Sequence, residues 1–208
     1  MKLKQLLTAI KYRAEQVPDV DITDLVYDSR KAVPGCAFVC LRGANADGHK
    51  YAKMAAEKGA AVIIAEEPVE APVPVILTDN TRLALAYLSA EFFGHPAEQM
   101  HVIGITGTKG KTTTAFMMRS ILEAAGHKTG VIGTIGVLYG DTLVQTDNTT
   151  PENYEVQKFM RQMVDAGCEY CVMEVSSIGL KDHRVAGFTF ELGLFTNCLL
   201  YTSPSPRD

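Results

Sequence analysis

The sequence predicts an α/β protein with mainly parallel sheets, divided into two domains near residue 96. Three observations carry this expectation. Short apolar runs alternate with helix-patterned stretches along most of the 208 residues, the order that builds a parallel sheet. Gly94-His95-Pro96 stops one helix hard, and the strand–helix pattern restarts beyond it. A glycine-rich turn from Gly104 to Thr114 joins an apolar run to a stretch with helical spacing.

The first 16 residues carry Lys2, Lys4, Lys11 and Arg13 around a short apolar patch, and they read as an amphipathic surface helix. The patch is too short and too closely followed by charge for a secretory leader. Residues 22–27 alternate like a half-buried strand and end in Asp28-Ser29-Arg30. Pro34-Gly35 marks a turn before a second strand at 36–41 and a small-residue loop at 43–48. A helix at 49–58, an apolar strand at 60–65 and a short strand at 73–77 follow. Asn80 then caps a helix running to Phe93.

Beyond the boundary the order is strand (101–106), loop, helix (111–125) and strand (128–133). Thr150-Pro151-Glu152 has the form of a helix start, with a threonine cap, a proline at the first helical position and an acid in the first turn. That helix is expected to reach Ala166, stop at Gly167 and lead to a strand at 170–175. Residues 199–208 are polar and proline-rich and cannot build a core. They read as a natural tail or an assembly artefact, and the unfinished sheet before them favours truncation.

An apolar content of 47% and a charged content of 21% are ordinary for a soluble globular protein. A formal charge of −4 with no polybasic run gives no pull toward nucleic acid or an anionic membrane. No stretch approaches the roughly 20 apolar residues of a membrane span, so the expected location is cytoplasmic. The five cysteines are scattered and odd in number, which suits a reducing compartment. Cys168 and Cys171 are formally a CxxC, but no second pair exists to complete a zinc site. They read as packing residues.

The chemistry centres on Gly107-Thr108-Lys109-Gly110-Lys111-Thr112-Thr113. Such a turn at a helix N-terminus presents backbone N–H groups to a polyphosphate, and the helix dipole favours its charge. Lys111 would reach the β and γ phosphates, and the Thr112 hydroxyl would ligate a phosphate-bound magnesium. The strict pattern would place a glycine where Ile105 stands. The structural alternative is a plain strand–turn–helix.

Three further clusters fit this loop. Asn148-Thr149-Thr150 precedes a helix and could bind an anion, or supply only a cap. Glu174 ends an apolar strand, where a carboxylate is costly unless paired or metal-bound. Ser176-Ser177 and Asp182-His183-Arg184 add polar groups, with Arg184 suited to a carboxylate or phosphate.

Together with Met173-Glu174-Val175-Ser176-Ser177 and His183-Arg184-Val185, these motifs resemble the Mur ligases of peptidoglycan synthesis, and most closely the MurE type. That type adds the third amino acid to UDP-N-acetylmuramoyl-L-alanyl-D-glutamate. Asp28-Ser29-Arg30, Gly35, Phe38-Val39 and Gly43 through Asp47-Gly48 resemble the family's uridine-binding domain. The resemblance spans about residue 20 to Asn197. It implies a uridine-binding α/β domain over 1–96, the first part of a phosphate-loop ATPase domain over 97–197, and an unassigned tail at 198–208.

The resemblance also implies roles. Tyr27 and Ser29 would contact the uridine end, and Ala44, Asn45 and Ala46 the diphosphate region. Gly107 through Thr113 would hold ATP, while Thr112 and Glu174 would ligate magnesium. Asn148, Thr149, Thr150, Ser176, Asp182 and Arg184 would hold the muramoyl-dipeptide, although Asp182 falls where the family often has glutamine. Lys109 replaces a common asparagine. The implied reaction activates the D-glutamyl carboxylate as an acyl phosphate, which the incoming amine displaces. Lys111 and magnesium would stabilise the developing charge, with Lys111 and the metal-holding Glu174 as the catalytic residues.

The family's Asp-His motif, its carbamylated lysine and its amino-acid-binding domain have no counterpart in this sequence. The expectation is therefore that these residues alone do not ligate. A non-catalytic fragment that binds UDP-sugar and nucleotide is one alternative, and a MurF-type ligase is another. The amino acid added and the oligomeric state are not written in the sequence.

Overall fold

A computed structural model describes residues 1–43 and 46–199. The chain divides into two compact units, Met1–His95 and Pro96–Asp208.

The first unit holds a four-stranded sheet in the order β1-β2-β3-β4, with every neighbouring pair parallel. Its strands are β1 (Leu25–Val26), β2 (Ala37–Val39), β3 (Val62–Ala65) and β4 (Val75–Leu77). Every residue of β2 and β3 is buried, as expected for a parallel sheet covered on both faces. On one face Phe38, Ile63 and Ala65 pack with Ala52 and Ala55 of α2 (Ala52–Glu57). The intervening Val39, Ile64 and Ile76 are buried to the same degree. Helix α3 (Thr81–Phe92) starts where the Asn80 side chain accepts a hydrogen bond from Leu83 N at 2.9 Å.

The N-terminal segment departs from the expected surface helix. It is one turn of helix, α1 (Leu3–Leu6), extended by a 3₁₀ turn at Leu7–Ala9. Leu3, Leu6 and Leu7 are buried, and α1 packs with α3. The apolar patch is core rather than surface, so burial of three leucines fixes the segment and the flanking charges do not.

The second unit is a six-stranded sheet in the order β10-β5-β9-β6-β7-β8. Strands β5 (His101–Thr106), β6 (Thr129–Gly133), β9 (Tyr170–Glu174) and β10 (Leu192–Phe195) run parallel. Strands β7 (Gly136–Tyr139) and β8 (Thr142–Val144) add an antiparallel edge. Ile103, Ile105, Val131 and Val172 pack against Ala115, Phe116 and Leu122 of α4 (Lys111–Ala124). Val102, Ile132, Cys171 and Met173 pack against Val156, Phe159, Met160 and Met163 of α5 (Asn153–Asp165). Helices therefore cover both faces, and β9 is inserted between β5 and β6 by the return of α5.

Two further differences from the sequence expectation matter. β7, β8 and β10 were not anticipated. Helix α5 begins at Asn153 with Glu152 at its cap position and no side-chain capping bond. Thr150 instead bridges strand-end backbone, because its hydroxyl donates to Glu174 O at 3.0 Å and accepts from Ser176 N at 2.9 Å. No helix of the described residues is long and apolar enough to cross a membrane.

Candidate functional site

The C-terminal ends of β5, β6 and β9 converge in the second unit, the end of an open parallel sheet where ligands bind. β5 feeds the loop from Gly107 to Gly110, and α4 starts at Lys111 with Gly110 as its N-cap at φ +85°. The left-handed turn at Gly110 would strain any residue with a Cβ. Lys111 Nζ folds back onto Gly107 O at 2.8 Å and approaches Thr108 O at 3.5 Å. It is thus held over the loop without an acidic partner among the described residues.

Glu174 closes the far side. It is 1% exposed. Its oxygens accept from Thr112 Oγ1 at 2.9 Å, Thr134 N at 3.0 Å and Thr134 Oγ1 at 3.1 Å. All three donors are neutral, and no basic side chain among the described residues pairs with the carboxylate. The sequence alternative of a buried salt bridge is therefore not what is found. A buried carboxylate beside a hydroxyl, lacking a counter-cation, is the oxygen set that a hard divalent cation satisfies. Gly133 makes room for it: a Cβ there would collide with Glu174 Oε1 and stand 2.8 Å from its Cδ.

The polar clusters divide in their roles. Thr149 Oγ1 lies 3.0 Å from Thr134 Oγ1, which joins it to the Glu174 network. Asn148 is exposed. Thr150 is 1% exposed and saturated by backbone. Ser176 Oγ accepts from Gly179 N at 3.0 Å and so caps α6 (Ser177–Lys181). Arg184 donates to Thr150 O at 3.0 Å and pairs with Glu152 at 3.1 Å and Asp182 at 3.5 Å. It braces the 150–152 turn, and Asp182 is one of its partners. His183 has φ +57° and marks the turn after α6.

Sequence reasoning missed Thr134, which holds Glu174 through both its amide and its hydroxyl. Its position directly after β6, at the same sheet end as the loop, was the available signal. Thr196 and Asn197 were also missed, and after β10 they contact the loop that begins at Gly107. Thr108 N donates to Asn197 O at 3.0 Å and Lys109 N to Asn197 Oδ1 at 3.1 Å. Those two amides are already engaged by Asn197.

In the first unit, Ser29 is buried at the start of a 3₁₀ turn (Ser29–Lys31), and Tyr27 is half-buried. Asp28 caps that turn and chelates Arg30 at 2.9 Å and 2.7 Å, and these side-chain hydrogen bonds hold its carboxyl below the usual carboxylate range. Ala44 and Asn45 lie outside the described residues. Ala46 O accepts from Gly43 N at 2.8 Å.

Asp47, His49 and Glu67 bring ligand-type atoms within 4.8 Å of one another. Both ring nitrogens of His49 are used, however: Nε2 accepts from Glu66 N at 3.0 Å, so Nδ1 carries the hydrogen donated to Asp47 at 2.6 Å. Arg42 pairs with both acids of the cluster, lying 3.0 Å from Glu67 and 3.7 Å from Asp47. The cluster is structural.

Cys168 and Cys171 belong to the α5-facing core. Burial pushes the Cys171 thiol up to about 12.

A mainly parallel sheet with a glycine-rich strand-to-helix loop and a buried acid at its strand ends defines a class that comparison with known proteins makes specific. The Mur ligase family, catalytic domain, matches residues 21–93, and the Mur ligase middle domain matches residues 105–199. The chain belongs to the Mur ligases.

Within that family it is 48% identical over 201 residues to the UDP-N-acetylmuramoyl-L-alanyl-D-glutamate–2,6-diaminopimelate ligase of Bacillus licheniformis. It is 46% identical over 200 residues to the enzyme of that name from Clostridium perfringens. Each match covers 95% of this chain and 41% of the relative, so the chain spans about two fifths of their length. Among solved structures, MurF from Acinetobacter baumannii aligns at 30% identity and TM-score 0.60, over 84% of this chain and 35% of that one. A diaminopimelate ligase structure shares the fold at TM-score 0.78 and 20% identity, over 98% of this chain and 42% of its own. MurF ligase from Thermotoga maritima, solved in complex with ADP, aligns at TM-score 0.53 and 25% identity, over 74% of this chain and 32% of its own.

Proposed function

We propose that this protein serves ATP-driven amide ligation in peptidoglycan synthesis. The reaction adds the third amino acid, diaminopimelate or lysine, to UDP-N-acetylmuramoyl-L-alanyl-D-glutamate. The observation that carries the reading is the buried Glu174 carboxylate, 2.9 Å from the Thr112 hydroxyl and held by neutral donors alone beside the Lys111 loop. Its sequence context is 48% identical to a ligase named for that reaction.

On this reading residues 97–197 handle ATP and residues 1–96 the uridine end of the substrate, in the cytoplasm. Lys111 leaves Gly107 O for the β and γ phosphates, and amides from Gly110 onward receive their oxygens. Thr112 and Glu174 hold magnesium, which supplies positive charge where negative charge develops on the transferring phosphoryl group. Thr134 keeps the Glu174 carboxylate aimed. Asn148, Thr149 and Ser176 face the muramoyl-dipeptide, and Arg184 fixes the turn that presents them. Tyr27, Ser29 and the loop through Ala46 take the nucleotide end.

A MurF-type ligase is the second reading, favoured by the 30% identity to the Acinetobacter structure. The 48% match outweighs it.

Calorimetry tests the proposal. Mg-ATP and UDP-N-acetylmuramoyl-L-alanyl-D-glutamate should each bind, and Lys111→Ala should weaken Mg-ATP by about a hundredfold while sparing the UDP ligand. Preference for the UDP-tripeptide over the UDP-dipeptide would favour the MurF type. Absence of Mg-ATP binding would overturn the nucleotide reading.

A further inference from the structure

We propose that Thr196 and Asn197 are positioning residues that clamp the phosphate loop in its anion-binding shape. This rests on the nucleotide reading of the loop and deepens it.

The two residues follow β10, the edge strand beside β5. Asn197 treats the Lys109 peptide as a strand partner would: Oδ1 accepts from Lys109 N at 3.1 Å, and Nδ2 donates to Lys109 O at 2.9 Å. Its own carbonyl accepts from Thr108 N at 3.0 Å. Thr196 Oγ1 donates to Lys109 O at 2.7 Å and lies 3.3 Å from Thr106 O, while Thr196 N donates to Thr106 O at 2.9 Å. One dipeptide therefore satisfies backbone groups of residues 106, 108 and 109.

Gly107 is fitted to this clamp. Its φ is +137°, and a Cβ there would collide with Thr196 Oγ1 and stand 2.9 Å from Asn197 O. The missing side chain admits the clamp as well as the turn. A loop without regular secondary structure otherwise loses its conformation to entropy. Fixing Thr108 and Lys109 sets the direction in which Gly110, Lys111 and Thr112 present their amides.

The test combines amide hydrogen exchange by NMR with Mg-ATP calorimetry on the full chain. Slow exchange at Thr108 and Lys109 is expected, with fast exchange and about tenfold weaker Mg-ATP binding in Asn197→Ala. Thr196→Val should weaken binding by a similar factor, and Thr196→Ser, which keeps the hydroxyl, should restore it. Lys111→Ala should weaken Mg-ATP binding without releasing the two amides, which separates loop shape from phosphate contact. Rapid exchange at both amides in the unaltered chain would overturn the clamp. Unchanged Mg-ATP affinity in Asn197→Ala despite fast exchange would overturn its positioning role. Protected amides in an unaltered chain that binds no Mg-ATP would uphold the clamp and sink the nucleotide reading instead.

Discussion

Thr112 and Glu174, 62 positions apart in sequence, meet at 2.9 Å through hydroxyl and carboxylate. Strand pairing places them there. β5 and β9 are parallel neighbours in register from His101↔Tyr170 to Ile105↔Glu174, so the acid at the end of one strand faces the loop leaving the other.

That relationship predicts opposite effects on stability and binding for Glu174→Gln. The carboxylate is buried without a counter-cation, so replacing it should not lower the melting temperature of the ligand-free chain. Mg-ATP affinity should fall by about tenfold or more, to the level measured without magnesium. Thermal unfolding and calorimetry with and without magnesium check both halves. A parallel loss of melting temperature and affinity would count against a metal role.

Thr150→Val should destabilise the second unit. The substitution keeps shape but removes a hydroxyl that serves Glu174 O and Ser176 N in a site 1% exposed. Two backbone groups are stranded, at a cost of about 1–3 kcal/mol. Urea unfolding measures it, and a cost below about 0.5 kcal/mol would show that water replaces the hydroxyl.

Asp47 gives an acid-side prediction. Its hydrogen bond to the His49 side chain, more than any other cause, holds its carboxyl below the usual range. A depressed folded pKa contributes stability above the unfolded value, about 3.9, and that stability is lost as pH falls through the still lower folded value. Asp47→Asn should therefore be less stable than the parent at pH 6, by about 1 kcal/mol at most, and the gap should close by about pH 2. Urea titrations at the two pH values test it. A gap that widens on acidification would reverse the sign.

The thiols should separate cleanly. Cys36, Cys40, Cys168 and Cys171 are buried and Cys198 is exposed. Burial pushes both Cys40 and Cys171 up to about 12. Alkylation of the native chain at pH 8 should label Cys198 within minutes and the other four only in denaturant, as peptide mass spectrometry would read. Early labelling of Cys168 or Cys171 would argue against their place in the core.

Parts of the fold were legible and parts were not. The alternation of apolar runs with helical spacing was enough for the parallel sheets, because each covered strand must be apolar on both faces. Asn80 as the cap of α3 followed from its side chain alone. The β7–β8 hairpin carries a readable signal, a Gly140-Asp141 turn between short apolar runs. A threonine before Pro151 has the local form of a helix cap. Its actual partners, Glu174 and Ser176, belong to another strand end.

The sequence by itself determined most of the elements, the parallel sense of the central strands and the chemistry-bearing residue types, since these depend on periodicity, turn residues and local spacing. Tertiary structure alone decided which of those residues meet. It turned Arg184 toward Glu152 and the Thr150 carbonyl, brought Thr134 to Glu174 and laid Asn197 on Lys109. Strand order does this, because β9 enters between β5 and β6 while β10 takes the opposite side of β5, and no local pattern specifies that choice.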